Sequence, residues 1–177
     1  MIEKQTAEFG SLVDTWVSAG VQPTSEVLRS VAQSLANFFA VAPDEVAILS
    51  ISIKHKHLKF VIPEKLAAVG SIPLSSTTAL AARTARERRP EVVNNFLTSR
   101  HVSVFEGVPL GRRPGESIQK IMSAPIMDGT QVRGVIQISR KGRTAMEAGS
   151  DFTQKDLRVL TSLSPILDRF LKLCLSG

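Results

Sequence analysis

The side chains in this 177-residue sequence best suited to chemistry are three histidines, one cysteine and a scatter of hydroxyls and amides. His55 and His57, two apart, point to one side of a strand and could join His101 at a metal or haem. No carboxylate or cysteine spacing supports such a centre, and the His55-Lys56-His57 run repels a cation, so solvated histidines and no metal are expected. Ser76, Thr77 and Thr78 stand at the start of a helical stretch, where free N–H groups and the dipole suit an anion. Capping that helix is their other use. Cys174 is the only cysteine, which excludes an internal disulfide and a cysteine pair for zinc. With no glycine-flanked nucleophilic serine, phosphate loop or zinc motif, and with Asp and Glu scattered, no catalytic residue is assigned and no enzyme is expected.

The elements that must position these groups follow from periodicity. Phe9, Leu12, Val13, Trp16 and Val17 share one helical face over 3–18, with Gly20 as a stop. After Pro23, with Thr24 as N-cap, Val27, Leu28, Val31, Leu35, Phe38 and Phe39 predict a second helix that ends before Pro43. Over 45–53 the period becomes two: Ala47, Leu49, Ile51 and Ile53 form an apolar face, and Val46, Ile48, Ser50 and Ser52 a mixed one. Residues 58–62 are the hairpin partner. A third helix is predicted over 76–89, closed by Pro90, then a short strand at 91–94. Residues 95–117, rich in Gly and Pro, read as a long loop acting as a lid. Strands at 118–127 and 131–140 meet at Asp128-Gly129.

On the last strand, alternation puts Val132, Gly134, Ile136 and Ile138 on one face and Arg133, Val135, Gln137 and Ser139 on the other. We match the second face to the one holding Ser50 and Ser52. Gln137, Ser50 and Ser123 then either contact a ligand or find partners within the protein. The last helix covers 154–174, capped by Thr153 and Asp156, with Phe152 against Leu157 as a staple and a kink at Pro165. Its two apolar stripes can cover the sheet and meet the first helix or a second subunit.

Composition is ordinary for a folded chain, 43% hydrophobic and 21% charged. No stretch approaches the ~20 apolar residues that span a bilayer, and the first residues lack a basic segment followed by an apolar core; a cytoplasmic protein without a membrane partner is expected. The net charge of +6 is regional: residues 83–143 hold 12 Lys and Arg against 5 Asp and Glu. Arg83, Arg86, Arg88, Arg89, Arg112 and Arg113 could hold nucleic acid, but a solvated basic face is the expectation.

The stretches IPLSSTTALAARTARERRPEVVNN, IMSAPIMDGTQVRGVIQIS and DFTQKDLRVLTSLSPIL, in this order, resemble three blocks of the GAF domain. The resemblance implies an α/β (α+β) fold: a central antiparallel sheet of five to six strands, terminal helices on one face, the third helix and long loop over the other. It implies a pocket on that second face. Asn94 and Asn95 fall where relatives often place a polar ligand contact, and Phe96 and Phe105 can close on a flat ligand or anchor the loop. Of the five cyclic-nucleotide signature positions, Lys141, Phe152 and Asp156 agree, while Arg140 and Leu157 depart. Phe152 and Asp156 already serve the helix start, and Lys141 can pair with Asp156. Cys174 fits neither a bilin attachment nor the redox cycle of related free-methionine-sulfoxide reductases, so no cofactor is assigned.

The expected organisation is a first helix (1–20), a candidate dimer contact, and a GAF-like sensory domain (21–177). The expected function is a non-catalytic sensor that binds an unidentified small molecule under the 95–117 loop and signals through its terminal helices. Its partners would be a second copy of itself and a separate output protein, without nucleic acid. The alternative is an interaction or dimerisation module with a collapsed pocket.

Overall fold

In the computed structural model, which describes residues 1–98 and 115–175, one antiparallel sheet separates two unequal layers of helix. The strands are β1 (Val46–Ser52), β2 (His57–Ile62), β3 (Ser71–Pro73), β4 (Glu91–Val93), β5 (Ser117–Asp128) and β6 (Gln131–Gly142). Their order is β3-β2-β1-β6-β5-β4, with every neighbouring pair antiparallel. Periodicity does not announce β3, which at three residues is too short to show alternation.

The thicker layer holds α1 (Ile2–Ala19), α2 (Ser25–Phe39), α4 (Gln154–Ser162) and α5 (Ser164–Leu175). Phe9 and Val13 of α1, the apolar face of α2, and Leu157, Leu160, Leu163, Leu167 and Phe170 close over Val46, Ile48, Met122, Ile126, Ile136 and Ile138 of the sheet. Helix starts and stops follow local chemistry. Gly20 adopts φ 62°, and its N–H reaches back to Trp16 and Val17. Thr24 caps α2 by accepting the Val27 N–H at 3.4 Å. Thr153 and Asp156 close a reciprocal capping box at 3.1 and 2.8 Å, and Phe152 and Leu157 share the same core. At Pro165 the expected kink is a full break, with α4 ending at Ser162 and α5 beginning at Ser164. The Ser164 hydroxyl accepts the Met127 N–H at 2.9 Å across that break.

The thinner layer is α3 (Leu80–Glu87), which starts four residues later than expected. Ser76 N–H donates to the Pro73 carbonyl and Ser76 Oγ accepts the Ala79 N–H at 3.1 Å, so the hydroxyl run builds a turn of its own before the helix. Among the described residues, no helix is long and apolar enough to cross a membrane.

The pairing corrects one expected face. Ala47 and Leu49 lie opposite Gln137 and Val135, whereas Ser50 lies opposite Gly134. Ser50 therefore shares the thick-layer side with Ile48, and Gln137 shares the α3 side with Leu49. A bulge at Arg133 accounts for a second difference: Ile126 pairs Gly134 and Met127 pairs Val132, leaving Arg133 unpaired between them. Val132 consequently joins Val135 in the α3-side core, and Arg133 turns to Asp168 of α5.

Candidate functional site

The α3 face of the sheet divides into two halves of different chemistry. Over β1, β2 and β3 it is filled by Leu49, Leu58, Phe60, Leu66 and Ile72 beneath the alanines of α3. Over β4, β5 and β6 a smaller apolar group, Leu80, Phe96, Ile118 and Ile121, is joined by the buried polar residues Thr84, Ser123, Gln137 and Ser139. Gln137 Nε2 donates to Ser123 Oγ at 3.2 Å, Ser123 and Thr84 share a 2.7 Å hydroxyl contact, and Thr84 donates to the Leu80 carbonyl at 2.9 Å. This chain of bonds ties the middle of the sheet to α3. Buried polar groups need such partners, since an unpaired one costs about 1–3 kcal/mol.

The sequence nominates Gln137 and Ser123, and the structure brings them together. It misses Thr84, although a signal was present: Thr84 falls one turn after Leu80 on the buried side of an amphipathic helix, where an apolar residue is the norm. Phe96 is 1% exposed and packs with Leu80, Ile118 and Ile121. Phe105, His101, Arg112, Arg113 and most of the 95–117 loop lie outside the described residues.

Other nominated residues have different surroundings. Asn94 uses both ends of its amide on Phe152, donating to its carbonyl at 3.0 Å and accepting its N–H at 2.9 Å. Asn95 is exposed, and its carbonyl accepts from Thr98. Thr77 and Thr78 are exposed beside half-buried Ser76. Arg86 donates to the carbonyls of Leu74 and Ser76, holding this turn against α3. Arg83 pairs with Glu87 and Glu91, and Arg89 with Glu87, so these expected basic-face residues are bound to carboxylates. Lys141 Nζ reaches the Asp44 carbonyl at 3.0 Å, while the Asp156 carboxylate closes its capping box.

Two further places carry unusual electrostatics. At the β5–β6 turn, Asp128 meets Arg133 at 2.8 Å and Lys172 at 3.2 Å, and Lys172 also meets Asp168 at 3.0 Å. The Arg133 hydrogen bond, then Lys172, hold the Asp128 carboxyl below the usual range; the bond to Asp128 raises Arg133, and bonds to Asp168 first and Asp128 second raise Lys172. On α5, burial pushes the Cys174 thiol up to about 12, so it is protonated at neutral pH and a poor nucleophile. Among the described residues, no group of three or more His, Cys, Asp or Glu could hold a metal ion, and the His55 and His57 rings stack at 5.6 Å.

Comparison with known proteins places this geometry. The chain is similar to the solved GAF domain of an Acinetobacter phosphoenolpyruvate-protein phosphotransferase, with 13% identity and a TM-score of 0.66 over 94% of this chain and 92% of that one. A methyl-accepting chemotaxis protein, residues 122 to 287, gives 14% identity and 0.67 over 96% and 98%. Free methionine-R-sulfoxide reductase from Neisseria meningitidis, in complex with its substrate, gives 14% and 0.65 over 99% and 91%. At these identities the likeness concerns the fold. No curated protein matches the chain. The family model for the GAF domain matches residues 21–171, every strand of the sheet and all the helices but α1 and the end of α5, and the chain belongs to the GAF domain family.

Proposed function

We propose that this chain is a non-catalytic sensory domain that binds a small molecule on the polar half of the α3 face and signals through its terminal helices. The observation that carries this reading is the confinement of Thr84, Ser123, Gln137 and Ser139 to the half of the face next to Phe96 and Ile118. Phe96 lies at the start of the 95–117 loop, the proposed cover, and Ile118 follows its end. A ligand with hydrogen-bonding groups would compete for the Gln137 amide and the Ser123 hydroxyl, loosening α3 from the sheet. Ser76, Thr77 and Thr78 border the start of α3 and are the proposed contacts for an acidic group. The family supports a regulatory role, and the Neisseria meningitidis reductase, which holds its substrate, supports a small-molecule occupant. Reductase chemistry is not carried over, because the sole cysteine is a protonated thiol in the thick helical layer.

A change at α3 reaches α5 through β6, whose Arg133 stands beside Asp168, and the proposed receiver is a second copy of the chain. Exposed Leu12 and Val17 on α1 would meet it. Native and then denaturing mass spectrometry of the purified chain tests the ligand: a small molecule should be released on unfolding, and Gln137→Leu should lose it while staying folded. A Leu12→Glu change should shift the sedimentation coefficient to that of a monomer.

A second reading has its own observation: Gln137, Ser123 and Thr84 already bond to one another, as in a collapsed pocket. The same spectra, with no released mass and unchanged melting after Gln137→Leu, would favour an interaction module.

A further inference from the structure

The corner of the sheet farthest from β4 carries a charge distribution that the sensory reading does not use. From Val46 to Pro63 the sequence has no Asp or Glu, and none from Lys65 to Arg86. Within the first stretch the β1–β2 hairpin presents Lys54, His55, Lys56 and Lys59 exposed and His57 half-buried, around an Ile53 that is 63% exposed. On the α3 side the same strands are sealed by Leu49, Leu58 and Phe60. On the other side, Ser50 and Ser52 lie opposite Lys59 and His57, half-buried or exposed rather than sealed like Ile48 further along β1. The carboxylate at the adjacent β5–β6 turn, Asp128, is taken by Arg133 and Lys172. No ion pair among the described residues involves Lys54, Lys56 or Lys59.

The tip is also held in one shape. The His55 N–H donates to Ser52 Oγ at 3.3 Å, the Lys56 carbonyl accepts the Leu74 N–H at 3.0 Å, and Lys56 sits at φ 54°. The His55 and His57 rings stack at an interplanar angle of 15°. A fixed cluster of cations around one aliphatic side chain suits a partner that offers carboxylates around an apolar contact, because complementary charge steers and orients docking. A lipid surface is the poorer match, since polybasic lipid readers gather about four to eight Lys or Arg, and this tip has fewer.

We propose that the β1–β2 hairpin, with Ile53 as apolar contact and Lys54, Lys56 and Lys59 as cationic surround, docks an acidic segment of a partner protein. This proposal does not depend on the α3-face reading, although Leu74, bonded to Lys56, stands two residues before Ser76. The probe is a synthetic peptide of glutamates interrupted by leucines, titrated into the isotope-labelled full chain and followed by amide chemical shifts. Shifts should gather on residues 52–59 and around Leu74, and binding should weaken with added salt. The double change Lys54→Glu with Lys56→Glu, at exposed positions outside the core, should lower affinity by about tenfold or more without altering the melting temperature. Ile53→Ser should weaken this peptide but leave binding of polyglutamate unchanged. Shifts centred elsewhere, or equal affinity for the charge-reversed chain, overturn the proposal. So does tighter binding to vesicles of phosphatidylserine and phosphatidylcholine with the same dependence on Lys54 and Lys56, which would make the tip a membrane contact.

Discussion

Asn94, at the end of β4, grips the backbone of Phe152 from both directions and so joins the edge of the sheet to the start of α4, 58 residues away. Its amide replaces the partner that neither backbone group of Phe152 would otherwise find at that bend. Truncation as Asn94→Ala should destabilise the fold by about 2 kcal/mol, because two part-buried groups lose their partners together. Asn94→Asp keeps the acceptor and loses the donor, so it should fall between. Urea titration followed by circular dichroism would rank the three chains.

The box at Thr153 is a smaller test of the same junction. Thr153→Ala removes the acceptor for the Asp156 N–H and should cost about 1 kcal/mol, measured by the same unfolding curves.

Gly134 and Gly10 should respond unequally to alanine. A Cβ on Gly134 would run into the Leu49 carbonyl and sit 2.7 Å from a Leu171 methyl, where β1, β6 and α5 meet. Gly134→Ala should therefore cost about 3 kcal/mol or more, while Gly10→Ala, whose nearest neighbour is an Ile166 methyl at 3.4 Å, should be nearly neutral. Thermal melts of the two variants would separate them.

Cys174 should resist alkylation by iodoacetamide at pH 8 in the native chain and react quickly in denaturant, read by intact mass. Its folded pKa is raised above the unfolded value, so its contribution to stability is complete below about pH 8.5 and is lost as pH rises toward 12. Cys174→Ala should flatten the alkaline limb of a stability–pH curve.

Asp128 acts at the other end of the scale. Its folded pKa is lowered, so its stabilisation is present above the unfolded value near ~3.9 and lost as pH falls through the folded one. Asp128→Asn should remove that part of the acid transition, and raised salt should shrink the difference between the chains.

The regular parts of the fold were legible because one-dimensional signals control them: the apolar faces of α1 and α2, the Thr153 box, and the Asp128-Gly129 turn, where Gly129 adopts φ 59°. What escaped depends on three dimensions. Whether Ser50 faces Gln137 is set by register between β1 and β6, and the turn that delays α3 is set by the Ser76 bonds to Pro73 and Ala79. Gln137 and Ser123 stood out because polar residues in central strands must find partners, but that they find each other is set by the pairing of β5 with β6. Thr84, the third member, arrives from a helix: its place on the buried side was legible, and its distance to the sheet was not.

The unpaired Arg133 also makes β6 uneven in how it tolerates changes of length. Deleting any residue between Val135 and Ser139 would reverse the facing of part of the strand, exchanging Gln137 for an isoleucine on the α3 side. Deleting Arg133 instead would leave Val132 and Gly134 opposite Met127 and Ile126, their present partners, and would forfeit only the ion contacts with Asp128 and Asp168. At this single position, the strand can lose a residue and remain in phase.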